Sequence, residues 1–135
     1  MNEILEMFSL TPSFFYYFFL GMFFLAIYFY VYTLVTKFDE MVLIRHGNMA
    51  AAYALVGSAL GFSFPVHAAI VHTTSIQDFA FWALVAMVAQ VCTYLFLKLV
   101  LKDMDEQIEA NNAAFGLLEG GISLVVGIIN AACVT

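Results

Sequence analysis

Four long apolar stretches constrain the fold of this chain more than any other feature of its sequence. They cover residues 13–36, 47–71, 79–101 and 112–134, and each is long enough to cross a bilayer as a helix, which takes about 20 residues. With 64% hydrophobic and only 10% charged residues, the chain has too few polar side chains to cover a water-soluble domain. The sequence therefore predicts an all-α, polytopic protein of the lipid bilayer with four transmembrane helices, here called spans one to four.

The segment before span one, residues 1–12, is too short to cross a bilayer, and we expect it to lie at the interface. Thr11 and Pro12 favour a helix start at this point, with Thr as the cap and Pro in the first turn. The leader carries Glu3 and Glu6 but no basic residue, and the apolar run after it is too long for a signal sequence. We therefore expect span one to remain in the mature protein.

The basic residues predict how the protein sits in the membrane. Lys37 and Arg45 flank the loop after span one, and Lys98 and Lys102 flank the loop after span three. Because Lys and Arg concentrate on the cytoplasmic side of membrane proteins, both termini of this multi-pass chain are predicted on the outer, periplasmic side. The scarcity of basic residues, with a net charge of -6, argues against a nucleic-acid partner.

The two halves of the chain show a weak internal repeat. A shift of 64 residues aligns Asp39 with Asp103, Asn48 with Asn112 and Gly57 with Gly121. The predicted units are residues 13–72 and 77–135, each consisting of a helix, an acidic loop and a helix that starts at an Asn and is rich in small residues. Because each unit crosses the membrane twice, both copies insert the same way round, which makes the repeat parallel.

Three segments of the sequence carry a resemblance to a known family. The stretches HGNMAAAYALVGSALGF, EANNAAFGLLEGGISLV and the terminal GIINAACVT resemble the YjfL-like family of small bacterial inner-membrane proteins, known as domain of unknown function 350. The resemblance covers the chain from about Phe15 to Cys133. It implies a four-span protein of the bacterial inner (plasma) membrane with duplicated helix pairs, and it implies no particular activity.

Residue size separates the spans into two kinds. Span one is bulky and aromatic throughout, which suits contact with lipid, whereas spans two and four are rich in small residues. Small residues let helix backbones approach closely, because apolar attraction alone does not bring helices together in lipid. The helix-packing candidates are Gly57, Gly61, Gly116, Gly120 and Gly121. We expect spans two and four to form the centre, against each other or a second subunit, and we predict a homodimer through them.

Span four contains one acid, Glu119, inside a run from Asn111 to Thr135 that is otherwise uncharged. Helical spacing puts it on one face with Asn112, Gly116, Ser123 and Asn130. An ionised carboxylate in the hydrocarbon costs a few kcal/mol, so Glu119 is expected to face protein or water, to be protonated or to bind a cation. No Lys or Arg shares its depth, which leaves as conceivable partners Ser, Tyr or Asn side chains, a group from a neighbouring subunit, a proton or a bound cation. The candidates for a proton or cation site are Glu119, Asn112, Ser123, Asn130 and Asn48.

Two classes of function follow from this glutamate. In the first, the protein is a transporter or channel that translocates a proton or cation through Glu119. In the second, it is a non-transporting scaffold or accessory subunit, and Glu119 is a hydrogen-bond lock between helices. Pro65 in span two is a possible hinge. The sequence has no phosphate loop, nucleophile elbow or spaced metal ligands, so we expect no enzyme activity, no metal and no cofactor.

Overall fold

The structure, a computed structural model, describes residues 1–134, which contain six helices and no strand. The helices are α1 (Asn2–Val35), α2 (Glu40–Arg45), α3 (Met49–His72), α4 (Ile76–Val100), α5 (Met104–Glu109) and α6 (Ala113–Cys133). Four of them, α1, α3, α4 and α6, are long and apolar enough to cross a membrane, which confirms the all-α, four-span prediction. The short helices α2 and α5 lie in the two loops that carry the basic residues.

Helix α1 is longer than the sequence indicated. It has 34 residues, or about 51 Å at the usual rise, and exceeds the hydrocarbon core of about 30 Å. The predicted helix start at Thr11 and Pro12 is wrong, because both lie inside this helix. Proline removes only its own N–H, which would have bonded the Phe8 carbonyl, and the helix continues through Pro12. The Thr11 hydroxyl donates to the Met7 carbonyl at 3.2 Å. The side chains of residues 1–12 are exposed, and their interfacial location stays a prediction.

Capping side chains fix where several helices begin. The Asn48 side chain accepts a hydrogen bond from the Ala51 N–H at 2.9 Å, and Ser75 does the same for Asp78 at 3.1 Å. These bonds satisfy backbone donors that have no partner in the first turn of a helix. Asn112 holds the equivalent position before α6, but its side chain makes no capping bond. The starts of α3 and α4 therefore differ by two or three residues from those predicted for spans two and three.

The order long helix, short helix, long helix occurs twice along the chain. Helices α2 and α5 both have six residues, and the residues before α3 and α6, Asn48 and Asn112, are 64 positions apart. This order agrees with the predicted units, but the duplication itself stays a prediction. Thr135, the last residue of the predicted second unit, lies outside the described residues.

Helices α3 and α6 run parallel and form the most extensive helix contact of the protein. Gly57 and Gly120 lie so close that a Cβ atom on Gly57 would be 2.3 Å from the Gly120 Cα. The same backbone approach recurs along the pair, at Gly116 with Ala50, at Gly61 with Ser123 and at Gly127 with Gly61. Spans two and four thus pack against each other within one chain.

Gly121 does not take part in this contact, in contrast to the prediction. A Cβ atom added there would meet nothing within 4 Å. Neighbouring positions on a helix point about 100° apart, so only one glycine of the Gly120–Gly121 pair can face α3. Because the facing glycines are occupied within the chain, they are not free to form the predicted homodimer contact.

Helix α1 packs on α3 and α4 through one aromatic face rather than facing only lipid. Phe24, Tyr28 and Tyr32 are spaced four residues apart and are buried. Their rings contact rings of neighbouring helices, with centroid distances of 5.3 Å to Phe79, 4.5 Å to Phe62 and 5.7 Å to Tyr94, respectively. Most of the remaining α1 side chains are exposed and suit contact with lipid.

The two adjacent glycines provide a matched test of the helix contact. Gly120→Ala would place a Cβ 2.3 Å from the Tyr53 carbonyl oxygen and should destabilise the protein by about 1–3 kcal/mol. Gly121→Ala meets no atom and should be neutral or slightly stabilising, because Ala favours helix over Gly by about 1 kcal/mol. Melting temperatures of the two variants in detergent test this, and equal melting temperatures would contradict the packing.

Candidate functional site

Glu119 is fully buried, at 0% exposure, on the face of α6 that meets α3. The Ser58 hydroxyl of α3 lies 3.2 and 3.3 Å from its two carboxylate oxygens, in position to donate to either. The Ser123 hydroxyl, one turn further along α6, donates to Oε1 at 3.1 Å. The carboxyl group is therefore held between two helices by two hydroxyl groups.

The glycine contact is what brings these groups together. Ser58 follows Gly57, Glu119 precedes Gly120, and the two glycines touch. Because the backbones are in direct contact, a side chain as short as serine reaches across to the carboxylate. With larger residues at the two glycine positions the helices would stand further apart, and this hydrogen bond would be lost.

Two residues from α1 and α4 complete the surroundings of Glu119. Tyr32 is 3% exposed and its hydroxyl faces Ser58 and Glu119, but the hydroxyl has no hydrogen-bond partner among residues 1–134. Gln90 is also buried, and in the amide orientation that satisfies both of its atoms it donates to the Ser123 carbonyl and accepts from the Gly127 N–H, each at 3.2 Å.

No cation compensates a charge on Glu119. Over residues 1–134 the single salt bridge joins Lys98 to Asp105, at 3.1 Å, and does not involve Glu119. An ionised carboxylate buried without a counter-charge is costly, since two hydroxyl groups replace only part of its hydration. The arrangement can hold a neutral carboxyl group, or a carboxylate whose charge is balanced by a dehydrated cation.

The other predicted site residues lie away from Glu119, apart from Ser123. Asn48 Nδ2 donates to the Ile108 carbonyl at 2.9 Å and Asn112 Nδ2 donates to Gln107 Oε1 at 3.0 Å. These two asparagines connect the helix starts to α5 and do not reach the acid.

Asn130 and Pro65, the two remaining predicted positions, do not contact Glu119 in the structure. Asn130 lies 11 residues beyond Glu119 on α6, or about 16 Å away, and its buried Nδ2 atom has no partner among the described residues. Pro65 is buried within the continuous helix α3, and its role as a hinge stays a prediction.

A second buried acidic group lies at the end of the bundle that carries the basic residues. The Asp105 side chain of α5 is buried, accepts a hydrogen bond from the Tyr94 hydroxyl and pairs with Lys98. Glu40 in the first turn of α2 is buried as well and accepts a hydrogen bond from the Thr36 hydroxyl. Neither acid was predicted from the sequence, because nothing in the two acidic loops distinguishes Glu40 and Asp105 from their exposed neighbours.

Burial raises the pKa of the Glu40 carboxyl above its usual range. The hydrogen bond from Thr36 opposes this shift of the pKa, and the nearby charges of Asp39 and Asp105 add to it. The buried end of the bundle therefore contains one acid, Asp105, paired with a cation and another, Glu40, whose ionised form is disfavoured.

Comparison with known proteins agrees with the resemblance seen in the sequence. The family described as Domain of Unknown Function (DUF350) matches residues 5–134. The chain belongs to the DUF350 family. It is 34% identical over 119 residues to the UPF0719 inner membrane protein YjfL of Escherichia coli strain K12, which covers 88% of this chain and 90% of that protein. The YjfL protein of Escherichia coli O157:H7 gives the same values, and no solved structure matches the chain at a significant level.

Glu40 should make the stability of this DUF350 protein depend on pH. A raised pKa in the folded state favours the neutral acid, so the contribution of Glu40 to stability is full below its unfolded pKa and is lost as the pH rises through its folded pKa. Glu40→Gln does not titrate and should melt at a higher temperature than the wild type at pH 8, but not at pH 4. Melting curves at both pH values test this, with Glu109→Gln, an exposed acid, as the control. A stability gain for Glu40→Gln that is the same at both pH values would contradict the assignment.

Proposed function

We propose that this protein is a transporter or channel of the bacterial inner membrane that moves a proton or cation through Glu119. The location rests on its four apolar helices and on the relative YjfL, which is named as an inner membrane protein. The observation that carries the proposal is the complete burial of Glu119 without a basic partner. Ionisable groups inside a membrane are costly and rare, and they mark ion pathways and proton relays.

The packing around Glu119 favours a proton over a hydrated ion. Helices α3 and α6 are in backbone contact at Gly57 and Gly120, beside the acid, and again at Gly61 and Gly127. A hydrated ion does not fit between helices that touch in this way. Proton transfer needs only hydrogen-bonding groups, and the hydroxyls of Ser58 and Ser123 are already in contact with the carboxyl group.

The remaining parts of the proposal concern orientation and assembly. The end of the bundle with α2, α5 and the four basic residues is placed in the cytoplasm, with both termini outside. We propose no enzymatic activity. A homodimer remains part of the proposal, but its contact has to lie outside the glycines shared by α3 and α6, for example on the open face of α6 around Gly121.

A scaffold or accessory subunit is the second candidate function. It is favoured by the same backbone contact, because Ser58 bridges to both carboxylate oxygens of Glu119 from the facing helix. In this case the hydrogen bonds lock α3 to α6, each contributing about 0.5–1.5 kcal/mol, and no ion moves.

Two substitutions of Glu119 separate the candidates in proteoliposomes that carry a pH gradient. Under the transport proposal the wild type dissipates the gradient faster than empty vesicles, and both Glu119→Gln and Glu119→Leu reduce the rate to background. Glu119→Gln keeps the size and hydrogen bonding of the side chain but cannot titrate. Glu109→Gln removes an exposed acid from α5 and should retain the wild-type rate.

The scaffold function predicts a different set of results. The wild type would then not dissipate the gradient, the Gln variant would match it in melting temperature, and the Leu variant would be less stable by about 1–3 kcal/mol because two buried hydroxyls lose their acceptor. Full transport by Glu119→Gln would exclude a titrating role for this residue.

A further inference from the structure

Glu119 lies close to the end of the bundle that carries the basic residues. It is six residues after the start of α6, or about 9 Å along the helix. Between Glu119 and that end, α1, α4 and α5 contribute the buried polar side chains of Tyr32, Tyr94 and Asp105. In the opposite direction the backbones of Gly61 and Gly127 touch, and Asn130 lies about 16 Å away along α6. The buried side chains of Tyr32, Tyr94 and Asp105 thus lie towards the basic end, whereas Ser123 and Gln90 are the buried polar neighbours on the opposite side.

Tyr32 connects the site of Glu119 with the groups beyond it. Its hydroxyl faces Ser58 and Glu119 without forming a hydrogen bond in the described chain, and its ring meets that of Tyr94 edge to face at 5.7 Å. A buried hydroxyl without a partner destabilises the folded state. If Tyr32 only filled space, this destabilisation would have no compensating function, because Phe would fill the same space without a hydroxyl group.

Asp105 connects the tyrosines with the end of the bundle. Its Oδ1 accepts from the Tyr94 hydroxyl and its Oδ2 contacts Lys98, whose side chain is 29% exposed. The ion pair with Lys98 keeps the Asp105 carboxylate at the boundary between the buried tyrosines and solvent. Asp105 is thus the outermost acidic group of a series that ends at Glu119.

We propose that Asp105, Tyr94 and Tyr32 form the pathway by which Glu119 exchanges protons with the basic end of the bundle. This inference rests on the proposed proton transport. A proton that binds Asp105 is passed to the Tyr94 oxygen as Tyr94 releases its own proton towards Tyr32. Tyr32 then accepts that proton and releases its own to the Glu119 carboxylate, so that one O–H bond forms for each one broken and both tyrosines end neutral.

Tyr32 is the step at which this pathway is interrupted in the structure. Asp105 and Tyr94 share a hydrogen bond, and Glu119 is bonded to Ser58 and Ser123, but the Tyr32 hydroxyl is bonded to neither side. The transfer requires the Tyr32 hydroxyl to form hydrogen bonds on both sides, directly or through water. Tyr32 therefore controls whether Glu119 is connected to the basic end.

Several titratable groups face this pathway and enter its pH dependence. They are Tyr28 and Tyr32 from α1, Glu40 from α2, Tyr94 and Lys98 from α4, Asp105 from α5 and Glu119 from α6.

Tyr32→Phe is the decisive variant, and Tyr30→Phe is its control on the exposed side of the same helix, at 65% exposure. Tyr32→Phe should slow proton flux in proteoliposomes at least about tenfold, and it should melt at the same temperature as the wild type or higher because an unpartnered hydroxyl is removed. A merely structural role predicts the reverse, with lower stability and unchanged flux per folded protein. Tyr30→Phe should change neither quantity.

A second measurement separates this pathway from the transport function itself. The rate at which the Glu119 carboxyl group exchanges hydrogen for deuterium is followed by infrared spectroscopy of the whole protein, with Glu119→Gln used to assign the band. The pathway predicts that Tyr32→Phe and Asp105→Asn slow this exchange and that Asp103→Asn, at an exposed position, does not. If Tyr32→Phe shows the same proton flux and the same exchange rate as the wild type, the pathway is overturned but the transport function is not. If these variants slow the exchange while the wild type transports no protons, the pathway is supported and the transport function is rejected.

Discussion

The backbone contact between α3 and α6 is the interaction on which the rest of this structure depends. In lipid, apolar attraction does not favour one helix arrangement over another, so stability has to come from close packing and polar contacts. Glycine permits this close packing, since a Cβ atom on Gly127 would lie 1.8 Å from the Gly61 carbonyl oxygen. This carbonyl is also the one that Pro65 deprives of its helical N–H donor, and it faces the backbone of Gly127.

Close packing of glycines leaves little side-chain volume around a buried acid, and side chains of the other helices fill the remaining space. Tyr28 stacks on Phe62 at 4.5 Å and Gln90 fills the space beside Ser123. The aromatic helix α1 therefore has two distinct roles, one face against lipid and one against the core. The acid is shielded from lipid by polar and aromatic groups of the same chain, and a second subunit is not required for its burial.

The sequence predicted those parts of the molecule that depend on local chemistry. Span number follows from the length of apolar runs, the start of α3 from a capping asparagine, and the orientation of Glu119 and Ser123 from helical spacing. The sequence did not predict which of two neighbouring residues faces another helix, because spacing alone does not decide whether Gly120 or Gly121 faces α3. Nor does an acidic loop show that Asp105 is buried, since that burial depends on Tyr94 and Lys98 from another helix.

Under the proposed function, the groups on the two sides of Glu119 determine where the membrane barrier lies. Towards the basic end Tyr32, Tyr94 and Asp105 lie between the acid and Lys98, which reaches solvent, whereas towards the other end the backbones of Gly61 and Gly127 are in contact. A transport cycle must therefore open the second half of the α3–α6 contact. At Gly61 and Gly127 no Cβ atoms lie between the two backbones, and sliding of packed helices is one of the motions by which proteins open. The glycines that close the structure beyond Glu119 are thus the positions at which a transport cycle would have to open it.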